Sequence, residues 1–539
     1  MTVTDLPAAD APSAEGRPPS SGLPTSLTDE LRSRLTSLVS SSGAAAPVTT
    51  EAPFSGEPIA ELPQCGPDDV VAAAERARAA QQEWSARSVA ERAAVFLRLH
   101  DLVLDERELL MDLIQAENGK ARRDAFLEVA DIAITCRYYA RTAASVLAPA
   151  ARSGLIPGLT SVQELRHPKG VVTVISPWNY PLSLAAGDSI PALIAGNAVL
   201  QKPDNQTALT ALAALDLARR AGLPDDVWQM VLGRGRDIGD DLLDAADHVM
   251  FTGSTESGRR IAQEAGRRLV ECSLELGGKN AMVVLDDADV ERAAEGAVRA
   301  CFSSSGQLCI SVERMYVQDG VHDEFVSAFL AGVADMRMGP GYDFATQMGT
   351  LTSTEQLDVV QHHVDDALDK GATLLAGGRA RPDVGPYFFE PTVLTDVTED
   401  MECHAEETFG PLVSIYRVSD DDEAVERAND TRYGLNASVW SRSARRGRDV
   451  AARLRAGTVN VNEAYAAAWG SVDAPMGGMG DSGLGRRHGA GGLLKYTEAQ
   501  TVARQRLFNL APPIARLGDD GFAAVMTTSL RLMKKVGWR

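Results

Sequence analysis

The chain has 539 residues and a net charge of −21, so it requires more than one core and offers no basic footprint for nucleic acid. Six cysteines, at 65, 136, 272, 301, 309 and 403, form no CxxC pair. That pattern excludes zinc and a disulfide framework, predicts no metal site, and fits a reducing, cytoplasmic compartment.

The first 26 residues are rich in Ala, Pro and Ser and predict a disordered N-terminus. They lack the basic and apolar blocks of a signal peptide. LTDELRSRLTSLV (27–39) predicts an amphipathic helix with Thr28 as its N-cap. VTTEAPFSGEPIAELP (48–63) predicts a hairpin turning at Ser55-Gly56. Residues 68–147 have helical periodicity and predict four helices. From Gly170 the pattern changes to strands alternating with helices: GVVTVIS, LSLAAGDSIPALIAG, AVLQKP, TALTALAALDLARRAG, WQMVLG, HVMFTG and STESGRRIAQEAGRR. The expected class is therefore α/β, with a doubly wound parallel sheet whose ligands gather at the carboxyl ends of its strands. SLAAGDSIPALIAGNAVL is the most apolar stretch, but Asp188 and Asn197 interrupt it, so it is not a membrane span. A second α/β stretch runs from about 281 to 478, followed by a Gly-rich turn, a strand and a tail.

Several residues could carry chemistry. Gly253 and Ser254 stand between a strand and a helix start, where backbone amides can hold a phosphate. Lys202, just past a strand end, can reach a ribose or phosphate. Cys309 follows a flexible Ser-Ser-Gly-Gln approach and is either a nucleophile facing the cleft or a buried thiol. Cys65, Cys136, Cys301 and Cys403 read as small core residues. Glu275, before two glycines, could be a general base. Asn179, between two prolines, could supply an oxyanion donor.

In order and spacing, SPWNYPL, QKP, FTGST, LELGGK, SSGQLC and EETFGP resemble the NAD(P)-dependent aldehyde dehydrogenase superfamily, as do ENGK (117–120) and PMGGMGDSGLGR. The resemblance covers roughly 27–505. It implies the aldehyde dehydrogenase fold: a cofactor-binding domain (27–147 and 167–277), a catalytic domain (278–478), and a hairpin (148–166) for oligomerisation. That hairpin is completed within 479–507, and a tail (508–539) follows. A homodimer or homotetramer is the expected state. In such an enzyme Cys309 would attack the aldehyde, and Asn179 with the Cys309 amide would hold the oxyanion. Glu275 would activate water against the thioester. Glu407 would hold the nicotinamide ribose, Trp178 and Phe409 would line the cofactor site, and Lys202, Gly253 and Ser254 would meet the adenine ribose and pyrophosphate. Asn205 stands where NAD-preferring relatives often carry Glu. An amide there does not repel a 2′-phosphate, so NADP is the expected cofactor, with NAD possible.

Within the superfamily the resemblance is strongest to actinobacterial-type succinate-semialdehyde dehydrogenases, which implies oxidation of succinic semialdehyde to succinate. The two arginines that hold the substrate carboxylate in well-understood relatives are replaced here by Gly187 and Ser303. Arg137, Arg314 and Ser471 are the candidate substitutes. The alternatives are a broad aliphatic or aromatic aldehyde dehydrogenase and a catalytically silent cofactor-binding scaffold. Presence of both Cys309 and Glu275 argues against the scaffold. In the tail, Phe522, Val525, Met526, Leu530, Met533 and Val536 predict one apolar helical face, flanked by Arg531, Lys534, Lys535 and Arg539. The expectation is docking on the protein's own oligomer, with membrane contact as the alternative.

Overall fold

The computed structural model describes residues 22–155, 159–506 and 518–537. The expected disordered N-terminus falls mostly on residues 1–21, outside the described residues. Helix α1 (Asp29–Thr36) begins where Thr28 accepts a hydrogen bond from the Leu31 amide, the cap expected from its hydroxyl. Strands β1 (Ala45–Glu51) and β2 (Pro58–Gln64) pair antiparallel. Gly56 turns between them with φ +75°, a conformation glycine adopts without Cβ strain.

Four helices follow: α2 (Pro67–Ala86), α3 (Val89–Asp105), α4 (Arg107–Asn118) and α5 (Arg122–Val146). Ser88 and Glu91 form a reciprocal capping box on α3. Gly119, at φ +81°, ends α4 in the left-handed conformation. Strands β3 (Ala150–Arg152) and β4 (Thr160–Pro168) then pair antiparallel.

The parallel layer is built from β5 (Val171–Ser176), α6 (Pro181–Ile194), β6 (Ala198–Pro203), α7 (Ala208–Arg220), β7 (Trp228–Met230), α8 (Gly235–Ala245), β8 (His248–Thr252), α9 (Thr255–Arg268) and β9 (Glu271–Glu275). Strand β5 is buried almost throughout, as a strand covered by helices on both faces must be. Strand β7 is shorter than WQMVLG suggests. Beyond Met230 the ladder breaks into single bonds, Val231 N–H to Gln201 and Cys65 N–H to Leu232.

A second, seven-stranded sheet contains β10 (Asn280–Val284), β11 (Val312–Gln318), β12 (Thr373–Ala376), β13 (Thr392–Thr395), β14 (Leu412–Val418), β15 (Asn436–Trp440) and β16 (Thr458–Val461), in the order β12-β13-β14-β11-β10-β15-β16. Helix α10 (Val290–Phe302) links β10 to β11 and ends just before the Ser-Ser-Gly approach to Cys309. The chain then returns to the first sheet. Strand β17 (Gly483–Leu484) adds antiparallel to β9, with Gly483 opposite Glu275, and completes the order β17-β9-β8-β5-β6-β7. Strand β18 (Thr497–Gln505) pairs with β4 along its length, giving a three-stranded sheet with β3.

The tail contains a helix, Gly518–Lys535, that starts four residues before the expected apolar face and has no buried residue. Val525, Leu530 and Val536 are exposed; Arg539 lies outside the described residues. Among the described residues, no helix is long and apolar enough to cross a membrane.

Candidate active site

Glu275 ends β9 and Cys309 precedes β11, so the crossing of the chain from one sheet to the other brings them together. Their charges interact, and Glu407 and Arg487 act on the same thiol. Burial pushes the Cys309 thiol up to about 12, opposed by Arg487 and reinforced by Glu407 and Glu275. The resting sulfur is therefore a neutral thiol, although part of the residue still faces solvent. Burial also raises the Glu275 carboxyl to about 7, with Arg487 and Lys495 pulling the other way. Its Oε1 is buried without a hydrogen-bond partner. That leaves a base poised near neutral pH, the range in which general base catalysis is efficient.

The approach to Cys309 is rigid rather than flexible. Ser304 and Ser305 are buried in the left-handed region at φ +51° and +56°, each at a cost of about 1–2 kcal/mol for a non-glycine residue. Hydrogen bonds hold Ser304 there. Ser304 N–H donates to Asp124 at 2.9 Å and its hydroxyl to Tyr180 at 3.0 Å. Gln307 donates to the Ser304 and Thr350 carbonyls. Asn280 Nδ2 donates to the Cys309 carbonyl at 2.8 Å, which orients the peptide behind the sulfur.

Asn179 is buried, and its Nδ2 donates to the Gln307 carbonyl at 3.1 Å. An amide has two N–H groups, so a second one remains for a ligand. The backbone carbonyl of Asn179 accepts from Lys120 Nζ at 2.6 Å, and Lys120 is paired with Glu128 at the same distance. Glu128 in turn accepts from the Leu182 and Ser183 amides at the start of α6, where a carboxylate meets the positive helix end. The ENGK segment thus clamps the loop on two sides, since Asn118 also donates to the Trp178 carbonyl.

Glu407 Oε1 accepts from the Gly278 amide at 2.8 Å. A Cβ at Gly277 would lie 2.2 Å from Glu407 Oε2, so only glycine admits this approach. Phe409, at φ +54°, packs edge-on against Trp178 with ring centroids 5.6 Å apart. Its amide and that of Thr408 donate to Glu313, which is paired with buried Lys279 at 2.5 Å. Lys202 and Asn205 follow at the carboxyl end of β6, and Gly253 and Ser254 at that of β8. Burial lowers the Lys202 ammonium pKa. Asn205 donates to Gln64 at 2.9 Å while its Oδ1 is buried without a partner. Ser254 caps α9.

The three candidate substrate residues are not brought to this site. Arg137 is exposed on α5. Arg314 is buried, but its guanidinium is spent on the carbonyls of Lys279, Arg427, Ala428 and Asp430. Ser471 is exposed and donates to the Ala467 carbonyl. The cation that does reach the site is Arg487, which donates to Asp188 at 2.7 and 3.2 Å and to Thr252 at 2.5 Å. Thr252 is the direct β-partner of Glu275. The other positioning groups absent from the sequence reading are Lys120, Glu128, Lys279 and Glu313; ENGK and LELGGK contained two of them without disclosing their partners.

The arrangement unites a thiol, an amide donor, a buried carboxylate and a second carboxylate beside a glycine pair, where the chain passes between the six-stranded and the seven-stranded sheet. It can perform nucleophilic attack on a carbonyl followed by base-assisted hydrolysis. Residues 39–502 match the Aldehyde dehydrogenase family. A Mycobacterium ulcerans (strain Agy99) protein named putative succinate-semialdehyde dehydrogenase, NADP(+), 2 is 56% identical over 466 residues, covering 86% of this chain and 90% of its own length. A crystal structure titled as an E. coli NADP dependent enzyme matches with TM-score 0.82 and 33% identity, covering 85% of this chain and 95% of that one. Betaine aldehyde dehydrogenase from Staphylococcus aureus, solved with NAD+, matches with TM-score 0.84 and 31% identity, covering 89% and 97%. The chain belongs to the aldehyde dehydrogenase family.

Proposed function

We propose that this chain oxidises succinic semialdehyde to succinate with NADP as the preferred cofactor. What supports the chemistry is that Glu275 acts on the Cys309 thiol while Asn179 is hydrogen-bonded to Gln307, two residues before Cys309. The substrate follows from the name of the 56% identical relative.

Cys309 Sγ, once ionised, adds to the aldehyde carbon and forms a thiohemiacetal. The free N–H of Asn179 and the Cys309 amide would donate to the oxygen on which negative charge develops. When bound, the nicotinamide supplies the hydride acceptor. The oxidised adduct is an acyl thioester on Cys309. Glu275 takes a proton from water, whose oxygen attacks the thioester carbonyl; the C–S bond breaks, and acid and thiol are released. Glu407, beside Gly277-Gly278, would hold the nicotinamide ribose, and Trp178 and Phe409 would wall it. Lys202 and Asn205 would hold the adenosine ribose, and the Gly253-Ser254 turn the pyrophosphate. The orphaned Asn205 Oδ1 fits a role in holding a polar ligand.

Initial rates with succinic semialdehyde, hexanal and benzaldehyde, each with NADP and NAD, test the reading. Succinic semialdehyde with NADP should give the highest kcat/KM. A kcat/KM with NADP about tenfold below that with NAD, a difference of about 1.4 kcal/mol, would refute the cofactor assignment. Better rates with the uncharged aldehydes would refute the substrate. Asn179→Ala should lower turnover on the order of 10²-fold, as loss of one oxyanion donor does; steady-state kinetics showing a drop below about threefold would refute that role.

A further inference from the structure

With Arg137, Arg314 and Ser471 placed elsewhere, a substrate carboxylate still needs a charge partner. A cavity of about 40 Å³ lies beside α6, lined by Ser183, Gly187, Trp469, Arg487, His488 and Lys495. About 10–15 Å³ of such space holds one water, so the cavity takes about three water-sized groups, the heavy-atom count of a carboxylate. Gly187 helps to open it: a Cβ there would meet just Ile132 Cδ1, at 3.8 Å.

Arg487 and Lys495 reach the cavity, and Asp188 lies 2.7 Å from Arg487 and 3.8 Å from Lys495; burial pushes the Lys495 ammonium down, so Arg487 is the firm cation of the pair. Asp131 lines the same cavity, and burial raises its carboxyl to about 7. His488 is neutral, held down to about 4 by burial and by Arg487. Arg487 spends Nε and Nη2 on Asp188 and Thr252; among the described residues, Nη1 has no hydrogen-bond acceptor. His488 Nδ1 is buried without a partner, and His488 is held at φ +61°, a strain that non-glycine residues tolerate mainly at functional sites. The backbone of Arg487 is fixed by two hydrogen bonds to Met476.

We infer that Arg487, supported by Lys495, is the cation that receives the substrate's distal carboxylate, in place of the side chains missing at Gly187 and Ser303. The inference rests on the succinic semialdehyde reading. It assigns specificity to a segment that closes on Glu275 through β17, so the same loop that shields the base would select the substrate.

The test compares kcat/KM for succinic semialdehyde and for butanal, its uncharged counterpart of equal chain length, in wild type, Arg487→Gln, Arg487→Lys and the charge-balanced double variant Asp188→Asn/Arg487→Gln. The double variant leaves no unpaired Asp188 if the single one does not fold. Loss of the cation should lower the ratio of the two kcat/KM values about 30-fold or more, with Arg487→Lys recovering part of it. Succinate should inhibit butanal oxidation by wild type, and its Ki should rise about tenfold or more in the double variant. If the wild type prefers succinic semialdehyde and the ratio in the variants stays within about threefold, the inference fails while the reading stands. Both substrates would then fall together, and Arg487 would act through Glu275 alone. If the wild type itself prefers butanal, the reading fails, and the inference with it.

Discussion

Cys309→Ser should lose turnover on the order of 10⁴-fold or more, the scale seen when an enzyme's nucleophile is removed, while still binding the cofactor. The thiol is already hard to ionise where it sits, pushed up to about 12. A serine hydroxyl ionises far less readily than any thiol, and burial between Glu275 and Glu407 would oppose it further. The change in volume is small, and the surrounding hydrogen bonds use the Cys309 backbone rather than its sulfur. The fold should therefore persist, and a thermal-melting curve beside the rate measurement separates lost chemistry from lost structure. Turnover within about tenfold of wild type would remove Cys309 from the mechanism.

Glu275→Gln should lower steady-state turnover by about 10²–10⁴-fold, the contribution of a positioned general base, and should do so selectively. Thiol attack and oxidation do not need this carboxylate in the mechanism above; hydrolysis does. The variant should give a rapid burst of one reduced cofactor per site followed by a slow steady rate, read by stopped-flow absorbance. Wild-type pH dependence follows from the same group. Burial raises its carboxyl to about 7. Above that pH Glu275 is ionised and can accept water's proton; below it the base is protonated, and where hydrolysis limits turnover kcat should fall about tenfold per pH unit. The glutamine variant should lose that limb of the profile. A burst as small as the wild type's, or an unchanged acid limb, would reassign the base.

The parallel layer was legible because its apolar runs are continuous and its turns are marked. GVVTVIS and AVLQKP became β5 and β6 at nearly the expected bounds, and Thr28 capped α1 as its hydroxyl allows. The interval between Glu275 and Cys309, with LELGGK and SSGQLC around it, identified the two groups that the structure brings together. What the sequence hid were ion pairs between distant segments. Arg487 and Asp188 are 299 residues apart, and Lys279, in the loop before β10, and Glu313, on β11, are 34 apart. Such pairs leave no periodicity to read. The same limit explains Arg314. It was a candidate substitute for the arginines missing at Gly187 and Ser303, but on β11 its guanidinium is turned toward the carbonyls near Ala428. The Ser-Ser-Gly approach read as flexible from composition, yet hydrogen bonds from Ser304 to Asp124 and Tyr180, and from Gln307 to Ser304, lock it.

The most direct test of the central claim is intact and peptide mass spectrometry of Glu275→Gln after a single turnover with succinic semialdehyde and NADP. The expected result is a mass gain of one succinyl group per chain, carried by the peptide containing Cys309 and removed by hydroxylamine. A chain that reduces the cofactor with no acyl group on Cys309, or one acylated at another residue, would contradict it.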